Sequence, residues 1–110
     1  MRDSEDIVIV YCTVPDTFCR QMAHDAVING FCACVSATPV VAVYRWEGKL
    51  CEDEEMLLLM KTTRGQVDRL MEWILSVHPY EVPEILAVPV VQGSPSYCEW
   101  VVSSIEDGSG

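Results

Sequence analysis

The segment CACVSATPVVAVYRWEGKLCEDEEMLLLMKT, Cys32 to Thr62, decides the architecture of this chain. Its first arm, Cys32 to Trp46, is rich in Val and Ala and carries no charge until Arg45. Its second arm, Leu50 to Thr62, returns after Trp46-Glu-Gly-Lys49, where the glycine suits a tight reversal. Two long strands joined this closely form an antiparallel hairpin. Arms of about 13 residues span roughly 40 Å, beyond the roughly 30–35 Å width expected of a domain this size. The hairpin therefore predicts an overhang that must pair with something.

Upstream, Ile7-Val-Ile-Val-Tyr-Cys-Thr13 is a continuous apolar run of the kind found in a strand covered on both faces. Thr13-Val-Pro-Asp16 then reads as the capping-box start of a helix. Phe18, Cys19, Met22, Ala23, Ala26 and Val27 recur at helical spacing, and Asn29-Gly30 supplies a stop. Downstream, Thr63-Arg-Gly-Gln66 resembles a second capping box ahead of the stripe Val67, Leu70, Met71, Ile74 and Val77. Pro79 makes His78 a poor helix continuation. Glu84 to Val91 reads as a fourth strand, and Ser96-Tyr-Cys-Glu99 opens a final helix with Tyr97, Trp100, Val101 and Ile105 inward.

The order β-α-β-β-α-β plus a terminal helix predicts an α+β, ferredoxin-like sandwich with an antiparallel sheet ordered 4-1-3-2. Proline cannot donate to a ladder and belongs on edge strands. Pro39 and Pro89 fall in strands two and four, the two edges of that order. One domain is expected over residues 1–110, with a core of about 7–105 and flexible ends at 1–6 and 106–110. Helices cover only one face of such a sheet, so the apolar second face and the overhang predict a closed oligomer.

Composition narrows the function. The 110 residues include 17 acidic and 7 basic side chains, a net charge of −10, and 50% are hydrophobic. Half-hydrophobic chains fold. Scattered Lys and Arg disfavour nucleic acid and anionic membranes. The charge-free stretch Gly30 to Tyr44 is too short to span a bilayer, and the start Met-Arg-Asp-Ser-Glu-Asp lacks the pattern of a secretory signal. A cytoplasmic protein is expected. The six cysteines contain no Cys-x-x-Cys pair, so free, packed thiols are expected, including Cys32 and Cys34. Met22, Met56, Met60 and Met71 read as core filling, His24 as solvated, and Glu52-Asp-Glu-Glu55 as a solvated rim. Gly65 alone makes no phosphate loop. No nucleophile–base–carboxylate set can be assigned, and a non-enzymatic protein is expected.

Several motifs together are distinctive. They are Cys12-Thr13-x-Pro15, Ala33-Cys34-Val35, Tyr44-x-Trp46-x-Gly48-Lys49, Lys61-Thr62, His78-Pro79-Tyr80-Glu81-x-Pro83-Glu84-Ile85, Pro89 and Gly93-x-x-x-Tyr97-x-x-Trp100. From about Ile7 to Ile105 the chain resembles the CutA family of divalent-cation tolerance proteins. The resemblance implies a homotrimer of ferredoxin-like subunits similar to the PII signalling proteins, binding of copper or other divalent cations, and a role in metal tolerance. It also implies a copper site built from a cysteine ending strand one and two adjacent histidines before Pro-Tyr. Cys12 and His78 match two of those ligands, while Val77 stands where the other histidine is expected.

The derived topology brings Cys12 and His78 out at one end of the sheet. The Trp46–Lys49 turn, the Tyr80-Glu81 loop and Glu84 emerge at the same end. A thiolate with an imidazole suits copper or zinc, and Glu81, Glu84 or water would complete the set. The alternative is a cleft between subunits, rimmed by Tyr44, Trp46, Lys49, Tyr80, Glu81 and Glu84, that takes a small molecule or a protein partner.

Overall fold

The sheet is organised on β1 (Ile7–Val14) in the computed structural model, which describes residues 6–109. β1 pairs antiparallel with β3 (Lys49–Thr63) on one side and with β4 (Ile85–Pro89) on the other. β2 (Cys34–Trp46) pairs with β3, so the order is β2-β3-β1-β4 and the two proline-bearing strands lie at the edges, as the sequence predicts. Helices α1 (Asp16–Ile28) and α2 (Val67–Val77) cover one face, and α3 (Pro95–Ser109) follows β4. Strand alternation sends Val8, Val10, Cys12 and Val14 toward α1 and α2. There they meet Cys19, Met22 and Ala26 from α1, Leu70 and Ile74 from α2, and Leu58 and Met60 from β3. Met22 and Met60 are buried and Met56 packs against this core, so these methionines are fillers. All six cysteines are free.

The hairpin outruns its neighbours. Register pairs run from Cys34↔Lys61 to Trp46↔Lys49, whereas β1 covers β3 only from Val14↔Met56 to Ile7↔Thr63. Among the described residues, Lys49 to Glu55 therefore pair with β2 alone. The reversal is a two-residue turn with φ of 50° at Glu47 and 79° at Gly48. Two positive φ values are the signature of the turn whose twist matches the hairpin. The principal extents of 46 × 26 × 21 Å record the overhang. On the second face of the sheet, Ile7 and Ala33 pack under Val101 and Ile105 of α3. Ile9, Tyr11, Leu57 and Leu59 lie further along that face and stay half-buried, and Leu86 and Val88 of β4 are exposed.

Some local expectations need correction. Neither threonine caps a helix: Thr13 and Thr63 are buried strand residues, and α1 starts behind Pro15 without a side-chain cap. Arg64–Gln66 forms a 3-10 turn that leads into α2. Sheet pairing outweighed the capping preference at both places. Strand β2 begins at Cys34 and β4 covers only Ile85–Pro89, because pairing with β1 ends there. Tyr97 and Trp100 are not inward. They are 43% and 47% exposed and pack on each other 5.6 Å apart. The helix continues past Glu106 to Ser109, where a frayed tail was expected. Residues 1–5 and 110, also expected to be flexible, lie outside the described residues. At the other end, Asp6 is tied down, its carbonyl accepting from the Arg64 amide at 2.9 Å.

Candidate functional site

Helix α2 ends where Pro79 forbids helical geometry in the residue before it, and His78 is extended at φ −70°, ψ 136°. The imidazole swings back onto β1. Its Nε2 donates to the Thr13 carbonyl at 2.8 Å, and its Nδ1 accepts from the Tyr80 amide at 3.1 Å. An amide can only donate, so this pair of bonds places the ring proton on Nε2. The Tyr80 ring lies 4.9 Å from the imidazole, centroid to centroid. Its phenol donates to Glu55 Oε1 at 2.7 Å. Tyr80 therefore bonds the imidazole through its backbone and a buried carboxylate through its side chain.

Cys12 is fully buried in the middle of the sheet, opposite Leu58 on β3 and Ile85 on β4. Burial pushes its thiol up to about 12, and the negative charges of Glu84 and Glu55 add to the shift. Register explains both neighbours. Glu84 immediately precedes Ile85, the partner of Cys12, and Glu55 immediately precedes Met56, the partner of Val14. The last residues of β1 thus have a thiol on the helix-covered face, an imidazole at the strand end and two carboxylates nearby, and thiolate and imidazole are donors whose softness suits copper or zinc. No three His, Cys, Asp or Glu side chains among the described residues are placed to hold a metal ion.

A second tyrosine–carboxylate pair extends the cluster. Tyr44 of β2 donates to Asp53 of β3 across the hairpin, and that hydrogen bond is the main reason its phenol is pushed up to about 12. The Tyr80 phenol is raised as well, first by desolvation, then by its bond to Glu55 and the charges of Glu55 and Asp53. Tyr44, Asp53, Glu55 and Tyr80 are thus neighbours.

Of the residues singled out by sequence, Cys12, His78, Tyr80 and Glu84 converge, and Tyr44 joins them through Asp53. Trp46 and Lys49 do not. They sit at the hairpin tip, nine positions beyond Leu58 and therefore roughly 30 Å from Cys12. Glu81 is exposed in the loop after His78. The reading missed Glu55, which was grouped with a solvated rim. Glu52, Asp53 and Glu54 are exposed, but Glu55 is only 9% exposed. A signal was available: Glu55 shares strand parity with Leu57 and Leu59 and abuts the apolar run that β1 covers. His24 is exposed, as expected, and bonds the Arg20 carbonyl.

Similarity to known proteins agrees with this geometry. The family model described as CutA1 divalent ion tolerance protein matches residues 8–104. The Xenopus laevis Protein CutA homolog is 42% identical over 100 residues, which is 89% of this chain and 66% of that protein. The Thermus thermophilus divalent-cation tolerance protein CutA is 39% identical over 99 residues, 88% of this chain and 94% of that one. The chain thus spans slightly under two thirds of the frog relative and nearly all of the bacterial one. The structure of CutA from Synechococcus elongatus superimposes with a TM-score of 0.88 at 36% identity, covering 94% of each chain. A PII-like protein CutA from Nostoc sp. PCC 7120, in apo form, gives 0.86 at 29% identity over 89% of this chain and 96% of that one. No helix among the described residues is long and apolar enough to cross a membrane. Strand order, hairpin, the His78–Glu84 loop and the match over residues 8–104 lead to one assignment: the chain belongs to the CutA1 divalent ion tolerance family.

Proposed function

We propose that this protein binds copper or another thiophilic divalent cation at the end of β1, as a homotrimer serving metal tolerance in the cytoplasm. The observation that carries the reading is the His78 ring docked on the Thr13 carbonyl, one residue past Cys12, with Glu55 and Glu84 beside the same strand end. A reducing compartment keeps Cys12 as a thiol able to ligate. Ligation requires that thiol to lose a proton its surroundings hold tightly, so cation uptake releases protons and strengthens as pH rises. Binding without catalysis is the expected activity: burial keeps the Cys12 thiol protonated, and both His78 ring nitrogens are already hydrogen-bonded. The overhang supports assembly: Val41, Val43 and Leu50 are 63%, 59% and 74% exposed on the hairpin beyond β1.

Titration of reduced protein with Cu(I), Cu(II) and Zn(II) tests the site. Cys12→Ser and His78→Ala are each expected to weaken binding at least about tenfold, since each removes a soft donor atom from the ion. If both variants bind like the parent, the site is elsewhere. Light scattering is expected to give three times the 12.3 kDa chain mass. A mass near 12.3 kDa with native circular dichroism would overturn the trimer.

A second reading, a small molecule or protein partner in a cleft between subunits, is favoured by the paired tyrosines Tyr44 and Tyr80 on Asp53 and Glu55. Saturable binding of a nucleotide or metabolite that competes with no cation, and that Tyr44→Phe abolishes, would move the function there.

A further inference from the structure

A hollow of about 350 Å³ opens on the helix layer, lined by Phe31, Arg69, Glu72, Trp73 and Ser76. Phe31 follows α1, and the other four recur on α2 at i, i+3, i+4 and i+7, a single helix face. Phe31 and Trp73 stack with ring centroids 5.2 Å apart, and both pack on the main core. The Phe31 backbone is pinned as well: its amide donates to the Ala26 carbonyl at 3.0 Å, and its carbonyl accepts from the Thr62 hydroxyl at 2.7 Å. This aromatic wall is fixed before any ligand arrives, which lowers the ordering cost of binding.

Charge is laid out along the same helix face. The Arg69 guanidinium lies 5.5 Å from the Phe31 centroid and donates to the neutral Gln66 Oε1 at 3.2 Å. Among the described residues Arg64 pairs with Asp6, and neither Arg69 nor Glu72 is in an ion pair. Ser76 donates its hydroxyl proton to the Trp73 carbonyl at 2.6 Å, so toward the hollow its oxygen can only accept. The lining thus offers a cation at Arg69, acceptors at Glu72 and Ser76, and a ring surface beside them.

We propose that this hollow binds a free aromatic α-amino acid: Arg69 takes the carboxylate, Glu72 and Ser76 the ammonium, and Phe31 with Trp73 the ring. Side chains three apart on a helix have Cβ atoms about 5–6 Å apart, a spacing that suits the two charges of one zwitterion. A simple anion would meet the charge of Glu72 and a simple cation that of Arg69, so a ligand carrying both signs is favoured over either. Its ring adds an offset contact to an aromatic pair already in place. The site uses no residue of the β1 end and holds whether or not that end takes a cation.

The test is an NMR titration of the isotope-labelled, metal-free full chain, following the Trp73 indole N–H, which Trp73→Phe identifies. L-phenylalanine is expected to shift it saturably with a Kd of about 1 mM, and L-alanine, which has no ring, to leave it unmoved at about 20 mM. N-acetyl-L-phenylalanine lacks the ammonium and L-phenylalaninamide lacks the carboxylate; each should bind at least about threefold more weakly. Arg69→Gln should weaken L-phenylalanine at least about threefold without weakening the amide, and Glu72→Gln should do the same without weakening the N-acetyl compound. No saturable shift with L-phenylalanine, an equal response to L-alanine, or parent-like binding in either variant overturns the proposal. A blocked compound that binds as tightly as L-phenylalanine overturns the free amino acid as ligand, in favour of a peptide end.

Discussion

One strand lives in two environments. From Met56 to Thr63, β3 has strand partners on both edges and α1 and α2 across one face, and Leu58 and Met60 are completely buried. From Lys49 to Glu55 it has β2 alone, and Leu50 is 74% exposed. The residue types track this change: Met-Leu-Leu-Leu-Met at the root, Cys-Glu-Asp-Glu-Glu toward the tip. The root is held by burial and the tip by cross-strand pairs, of which Tyr44–Asp53 is an example. The candidate site lies on the boundary, where the cover of β1 stops and Glu55 is buried while Glu54 beside it is exposed.

The widest contrast is between the two leucines. Leu58→Ala should cost about 3 kcal/mol through a cavity in the main core, whereas Leu50→Ala should change the stability of an isolated subunit by less than about 0.5 kcal/mol. Chemical denaturation of both variants checks this. Equal losses would mean that the tip is as packed as the root.

Next comes the boundary. Glu55→Ala strips the Tyr80 phenol of its acceptor and should cost about 1 kcal/mol, while Glu54→Ala, on the exposed side, should be nearly silent. Reversal of that order in denaturant midpoints would relocate the buried carboxylate.

An alkaline titration probes both environments together. The folded Cys12 thiol is raised from 9.0 to about 12, and the Tyr44 phenol from 10.0 to about 12. In both cases the unfolded chain loses its proton first. The stabilisation is therefore complete below pH 9 and is lost as pH climbs toward 12. The denaturant midpoint should fall between pH 8.5 and 11, and Cys12 should resist alkylation at pH 8 in the native state. A midpoint that rises over this interval would contradict the arrangement. The smallest effect is at the turn, where Glu47 holds a positive φ that asparagine tolerates better. Glu47→Asn should add about 0.5 kcal/mol, read from the same midpoints.

Much of this was legible beforehand. The continuous apolar run Ile7–Thr13, the helical stripe Val67–Val77 and the Val- and Ala-rich arm and glycine turn of the long hairpin name the elements, because run length and helical spacing are local properties of the chain. Pro39 and Pro89 then select the edges, because a missing N–H is intolerable anywhere else. Helix starts were read less well. Thr13 and Thr63 look like caps in isolation, but each gains more from the β1–β3 ladder than from one capping bond. Tyr97 and Trp100 look like core until the corner under α3 proves to be filled by Ile7, Ala33, Val101 and Ile105.

The candidate site divides the same way. That Cys12 and His78 share one end follows from strand and helix directions, which the order of elements dictates. That His78 presents Nδ1 to Tyr80, and that Glu55 rather than Glu81 is drawn in, depends on a register 65 residues apart in sequence at the His78–Thr13 contact. The chain by itself determined the β-α-β-β-α-β order and the edges, through periodicity and the hydrogen-bonding limits of proline. Only the folded sheet decided which acid in a run of four is buried, because burial at that position is set by where a neighbouring strand stops.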